Sequence, residues 1–162
     1  MSDLDRHNKF IRRLDSSRPS MFRVAEWLHK KGYDIYIPAI RYCPPDENPE
    51  DFFDDGDLFA RKDGKKLRFE IKHSGYDFTS AKDWPVKDKT MIVSNKAAVE
   101  RENGKATAFI IVSKSMTHVA MIWRRTRKHW FVKPRFATNT QKYEDFYCIA
   151  TEHVDFRSMS DD

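Results

Sequence analysis

The chain has 162 residues, 40% of them hydrophobic and 34% charged, with a formal net charge of +5. That length suits one domain, which can bury ~70% of the surface its unfolded form exposes and so needs no disulfide or metal staple. No apolar run reaches the ~20 residues of a membrane span and MSDLDRHNKF lacks the apolar core of a secretory signal; a soluble, intracellular, cytoplasmic protein is therefore expected, its positive balance favouring an anionic partner such as nucleic acid.

Residues 1–18 are polar and mixed in charge, and read as a flexible tail or a short helix around Phe10, Ile11 and Leu14. Ser20 then caps a helix over Met21 to Lys31, whose apolar stripe is Met21, Val24, Ala25 and Leu28, with Gly32 as the residue that ends it. Tyr33 to Ile40 reads as a strand that Pro38 confines to an edge or a strand end. Cys43 to Gly56 is a loop rich in proline and acid, holding Asp46, Glu47, Glu50, Asp51, Asp54 and Asp55. It reads as a solvated acidic loop, or as a patch that helps to attract a cation. Leu58 to Lys62 and Lys65 to Lys72 form a hairpin about Asp63-Gly64, since both turn positions tolerate positive φ.

Ser74 to Val86 is irregular. Thr90 to Ser94 is a short strand, and Asn95 to Asn103 a short helix capped by Ser94 or Asn95 and stopped by Gly104. Ala106 to Val112 and His118 to Trp123 form a second pair of strands. Arg124 to Arg135 is a basic segment, and Asp145 to Ala150 a last strand. No repeat or low-complexity linker divides the chain, so a single domain is expected, with a core over 19–112 and additional strands and the basic segment over 113–157. The two cysteines, Cys43 and Cys148, form no C-x-x-C pair or zinc set and read as free thiols. The order of elements indicates an α/β sandwich of mixed sheet and helices.

Within the hairpin, GDLFARKDGKKLRFEIKH, side chains alternate between faces. Leu67, Phe69 and Ile71 share one face, and Arg68, Glu70 and Lys72 the other. Asp57 stands at the mouth of the neighbouring strand. Two carboxylates brought together across paired strands supply the hard oxygens that Mg²⁺ prefers, and the backbone carbonyl of Ile71 offers a third. Lys72 beside them can contact an attacking water or a phosphate and stabilise developing negative charge.

Asp57 followed by Glu70-Ile71-Lys72 resembles the PD-(D/E)xK nuclease superfamily, which includes restriction endonucleases, Holliday-junction resolvases and many phage nucleases. The resemblance covers roughly Met21 to Val112, and the stretch VAEWLHKKGYDIYIP is similar to the entry of such domains. It implies a restriction-endonuclease-like α-β-β-β-α-β core, with a mixed central sheet flanked by helices. It implies an endonuclease that hydrolyses DNA, including structured or branched DNA, with Mg²⁺ or Mn²⁺ as cofactor. Asp57 and Glu70 would bind the metal with Ile71, and Lys72 would be the catalytic lysine. Members of this kind are often homodimers. The chain has Gly56 where the motif name has proline. Many members also carry a metal-facing glutamate on the first helix. Glu26 is the only acid on the helix read here, and it lies roughly opposite Val24 and Leu28 (~100° per residue), which leaves it open between ligand and solvent-facing residue.

Around this motif, His73 reads as a core or solvent histidine. Asp77 and Thr79 fall in the irregular stretch after the hairpin, where they could approach the metal or the DNA. Asn95 and Lys96 read as cap and surface lysine, or as phosphate contacts at the border of the site. WRRTRKHWFVKPRF carries Arg124, Arg125, Arg127, Lys128, Lys133 and Arg135 without an acid, interleaved with Trp123, Trp130, Phe131 and Phe136. Cations make phosphate contacts and aromatics stack on unpaired bases, so nucleic-acid binding is expected here. The alternative is a strand and hairpin with its aromatics in the core and its arginines solvated. For the whole chain, the alternative to a nuclease is a catalytically inactive nucleic-acid-binding module on the same fold.

Overall fold

The computed structural model describes residues 3–38, 44–47, 57–101, 105–138 and 140–160. Helix α1 (Asp3–Lys30) opens the chain. It is followed by β1 (Asp34–Tyr36), β2 (Leu58–Lys62), β3 (Lys65–His73), β4 (Thr90–Asn95), α2 (Lys96–Arg101), β5 (Ala108–Val112), β6 (His118–Trp123), β7 (Phe131–Ala137), β8 (Lys142–Ala150) and β9 (Asp155–Ser158). The fold is mixed α/β. A central sheet runs β1-β2-β3-β5-β6-β9, and a second sheet runs β4-β8-β7.

The β2–β3 hairpin forms as its sequence dictates. Asp63 and Gly64 both have positive φ, 50° and 74°, the backbone that matches the twist of the flanking strands. Leu58 lies opposite Phe69 and Lys62 opposite Lys65. β3 then pairs in parallel with β5, the two joined by a crossover that carries β4 and α2. All other pairings in the central sheet are antiparallel, so the sheet is mixed.

The two-residue period of the inner strands builds two cores. Phe69 and Ile71 of β3, Ala108, Ile110 and Val112 of β5, and Val119 and Met121 of β6 pack against Met21, Val24, Ala25, Trp27 and Leu28 of α1. The alternate residues, Phe109, Ile111, Ala120 and Ile122, pack on the other side against Met91 and Val93 of β4, Val99 of α2, and Tyr147 and Ile149 of β8. The layers are therefore helix, central sheet, second sheet. Of the helices expected on both faces, α1 covers one; the second sheet covers the other, and the short α2 packs on β4 and β8.

Further expectations are corrected. Helical backbone extends to Asp3, so 3–18 form part of α1 and not a tail. Ser20 does not cap a helix: it is buried inside α1, and its hydroxyl donates to the Ser17 carbonyl at 2.8 Å. Pro19 sits within the helix, where it lacks one amide donor without ending it. Asp145 to Ala150 belongs to the longer β8 and is not the last strand, because β9 follows and closes the central sheet against β6. β1 is shorter than read, and it is an edge strand as Pro38 required. Ile40, Cys43, most of the acidic loop including Gly56, and the Gly104 stop lie outside the described residues.

The end of α1 is set by Gly32. Its amide donates to the His29 carbonyl at 2.9 Å and the Tyr33 amide to the Leu28 carbonyl at 3.1 Å. With φ of 84° at Gly32, this is the paired closure that uses a left-handed glycine. Gly32→Ala is expected to destabilise the fold by about 1 kcal/mol. The urea midpoint should fall with no change in the slope of the transition.

Candidate functional site

The site begins at the open end of the β2–β3 hairpin. The paired register ends at Leu58–Phe69, and Asp57 stands one residue before it. The Asp57 amide donates to the Phe69 carbonyl at 3.2 Å. The Asp57 carboxylate accepts the Ile71 amide at 2.7 Å through Oδ2. The side chain thus takes over the acceptor role a further strand residue would fill, and β3 runs on past the end of β2. A strand residue points its N–H and C=O to the same edge. The Ile71 carbonyl therefore faces the edge where Asp57 stands, as a metal-ligand reading of Ile71 requires.

Glu70 and Lys72 share one face of β3, while Asp57, just before β2, meets β3 at its edge through the Ile71 amide. That side faces the second sheet, since Glu70 and Lys72 lie beside Phe109 and Ile111 of β5. Lys72 crosses the gap between the sheets. Its Nζ donates to the Val93 carbonyl at 2.9 Å and to the Ser94 hydroxyl at 3.0 Å, and it stands 6.0 Å from the centre of the Phe109 ring. β4 bulges here, its register against β8 shifting between Ile92 and Ser94, so Val93 is the extra residue.

Arg68 is the member of this face that the sequence named without giving it a role. Its side chain is 9% exposed and its Nη2 pairs with Glu70 Oε1 at 3.2 Å. The Arg68 backbone is held at both polar groups by Thr107: the amide donates to Thr107 Oγ1 at 3.0 Å, and the carbonyl accepts the Thr107 amide at 2.8 Å. Asp57, Glu70, Arg68 and Lys72 together carry no net charge. The donor set of two carboxylates and a carbonyl suits a hard divalent cation, and adding one would leave the group with two positive charges to offer an anion.

Glu26 lies away from this group. α1 packs on the opposite face of β3, and Glu26 is exposed, paired with Arg23 at 3.4 Å and Lys30 at 3.2 Å. Of its two readings, the structure gives the solvent-facing one. His73 is exposed, its Nε2 3.1 Å from the Lys114 carbonyl. Asp77 accepts the Ser115 amide at 2.7 Å, and these Ser115 hydrogen bonds lower its pKa. Thr79 donates to Asp83. Asn95 caps α2 by accepting the Ala98 amide at 3.2 Å and donates to Glu144. Lys96 borders a groove of about 790 Å³ between α2 and the start of β8, where Arg101 and Lys142 face Glu100, Glu144 and Asp145.

The basic segment is largely engaged within the protein. It forms a 3-10 turn over Arg124–His129 and then β7. Arg124 Nε donates to the Ala106 carbonyl at 2.6 Å. Arg125 lies 4.8 Å over the Trp123 ring. Arg127 pairs with Glu100 at 3.0 Å and reaches the Tyr147 hydroxyl at 3.2 Å. Lys133 pairs with Asp88 at 3.0 Å. Trp123 and Trp130 pack against the two cores. Phe131 and Phe136 are exposed, and Phe136 stacks edge-on with the exposed Tyr143 at 5.6 Å. Lys128 is exposed, and Arg135 lies half-buried on β7. The alternative reading of a strand and hairpin with core aromatics thus accounts for Trp123 and Trp130. Lys128, Phe131 and Phe136 face solvent.

Asp88 shows how firmly Lys133 is held. Hydrogen bonds from Thr90 and then Lys133 bring its carboxyl to a pKa of about 2. The unfolded value is about 3.9, so its contribution to stability is complete above about pH 4 and is lost as pH falls towards 2. Asp88→Asn is expected to flatten the acid limb of the stability profile in that window, measured by urea unfolding at stepped pH. Compared with models of protein families and with curated proteins, the chain matches none, so its functional reading rests on the geometry of Asp57, Arg68, Glu70 and Lys72.

Proposed function

We propose that the protein is a metal-dependent nuclease of the PD-(D/E)xK kind, acting on DNA. The observation that carries this reading is the hydrogen bond from the Ile71 amide to the Asp57 carboxylate, which ties Asp57 to the stretch of β3 that bears Glu70 and Lys72 on one face. Further support comes from the order α1, β1, β2, β3, β4, α2, β5, with β3 and β5 parallel: set aside β4, which joins the second sheet, and it is similar to the α-β-β-β-α-β succession of a restriction-endonuclease-like core.

In this reading Asp57, Glu70 and the Ile71 carbonyl hold Mg²⁺ or Mn²⁺. The cation, when bound, neutralises phosphate charge and lowers the pKa of a water. Asp57 is positioned for the task by its hydrogen bond from the Ile71 amide, which fixes one carboxylate oxygen and orients the other. Lys72 is held by Val93 and Ser94 at the same face. There it can donate to a phosphate oxygen as charge develops. The water oxygen bonds to phosphorus, the P–O3′ bond breaks, and the departing oxygen takes up a proton. The products are a 3′-hydroxyl and a 5′-phosphate. The exposed Lys128, Phe131 and Phe136, with Lys96 at the groove, are where the rest of the strand would be met.

A second reading, a catalytically inert DNA-binding module, draws on one observation: Glu70 is already neutralised by Arg68. The two readings part on chelation. A nuclease cleaves supercoiled and branched DNA in Mg²⁺ or Mn²⁺ and stops in a chelator. An inert module binds DNA in a salt-dependent way, unaffected by the chelator, and cuts nothing.

Asp57→Ala and Glu70→Gln are each expected to lower the cleavage rate by at least about 100-fold. Gln is the better replacement at Glu70: Ala would leave Arg68 buried without its partner, at a cost of about 3 kcal/mol. Cleavage by both variants at the rate of the unaltered protein, with unchanged melting temperatures, would remove the site from consideration.

A further inference from the structure

The contact between Arg68 and Glu70 uses only part of what a guanidinium offers. Nε–H and one Nη2–H of arginine point the same way, spaced to meet two oxygens of one acceptor. In a bidentate pair both would engage the carboxylate. Here Nη2 contacts Glu70 at 3.2 Å, while Nε is buried and has no hydrogen-bond acceptor among the described residues. The side chain is 9% exposed, so solvent does not readily replace the missing partner. Buried donors in folded proteins are almost always satisfied; Arg68 Nε is one of several left open among the described residues, and it lies on the face shared with Glu70 and Lys72.

The position of this open donor matters. Arg68 occupies the same face of β3 as Glu70 and Lys72, and its backbone is pinned by Thr107 on β5's approach, so its fork is aimed by the sheet and not by a loop. The four charges of the group balance. A divalent cation taken up by Asp57 and Glu70 would compete with the guanidinium for the Glu70 oxygens and would repel it.

We infer that the Arg68–Glu70 pair is exchangeable: Arg68 holds Glu70 until a divalent cation takes the carboxylate, and its Nε and Nη2 edge then grips the non-bridging oxygens of the phosphodiester. This rests on the nuclease reading of the same site and gives it a phosphate clamp. The clamp couples the order of events, since phosphate is held tightly only once the cation has displaced the guanidinium. Lysine at this position keeps the charge and loses the fork.

The test compares the unaltered protein with Arg68→Lys by calorimetric titration with Mn²⁺, by cleavage of a DNA duplex, and by melting temperature. Arg68→Lys is expected to bind Mn²⁺ at least as tightly as the unaltered protein and to cleave about 100-fold more slowly. In the unaltered protein, the NMR signal of the Arg68 Nε–H should move on addition of Mg²⁺. It should move again when a cleavage-resistant phosphorothioate duplex is added in Ca²⁺. That measurement needs no variant to fold. Native cleavage with native metal affinity in Arg68→Lys, or an Nε–H signal that ignores both Mg²⁺ and the duplex while the protein still cleaves, overturns the clamp and leaves the nuclease reading in place. Absence of Mn²⁺ binding and of cleavage in the unaltered protein overturns both.

Discussion

The structure depends on β3 being charged on one side and apolar on the other while buried on both. Its apolar residues, Phe69 and Ile71, close the core under α1, and its charged row faces a second sheet. Holding a buried Arg68 and half-buried Glu70 and Lys72 here is tolerable because each charge is answered within the row or across the gap: Arg68 by Glu70, Lys72 by the carbonyl of Val93 and the hydroxyl of Ser94. Taking one charge away leaves another buried and unanswered, which is the costly case. The row is thus both the means by which the two sheets meet and the place where chemistry is proposed.

The parts of this arrangement written in local sequence were legible. Asp63-Gly64 gave the turn, the turn gave the register, and the register gave the faces. The same holds for Gly32 at the end of α1, and for Asn95 capping α2. Each of these rests on one residue type meeting one backbone requirement a few positions away. The alternation of β5 was less visible, because every one of its residues is buried. A continuous apolar run hides its period, as central strands with parallel neighbours do.

What was not legible came from distance or from mimicry. Ser-Arg-Pro-Ser before Met21 has the composition of a helix start, yet the helix runs through it. β7 was concealed by its basic residues and by Pro134. A proline is tolerated there because β7 lies at the edge of the second sheet, opposite Asp145 of β8. The depth of Arg68 could not be read from its neighbours. Alternation assigns it a face, but the layer that buries that face comes from β4 and β8, far along the chain. The partners of Arg127 and Lys133, Glu100 and Asp88, are likewise set by tertiary packing, so a run of cations that reads as free in the sequence is mostly spoken for in the fold.

The bulge at Val93 carries a consequence for how descent would act on this chain. Lys72 serves the seam between the layers through that irregular strand, whatever else it does. A lineage that gave up strand scission would still be penalised for discarding the lysine, so its persistence among descendants says little about whether the chemistry survives. Asp57 also has a structural duty in accepting the Ile71 amide, but the side-chain oxygen of an asparagine could still accept that bond. Drift at that aspartate, beside an unchanging lysine, would be the footprint of an enzyme turned into a scaffold.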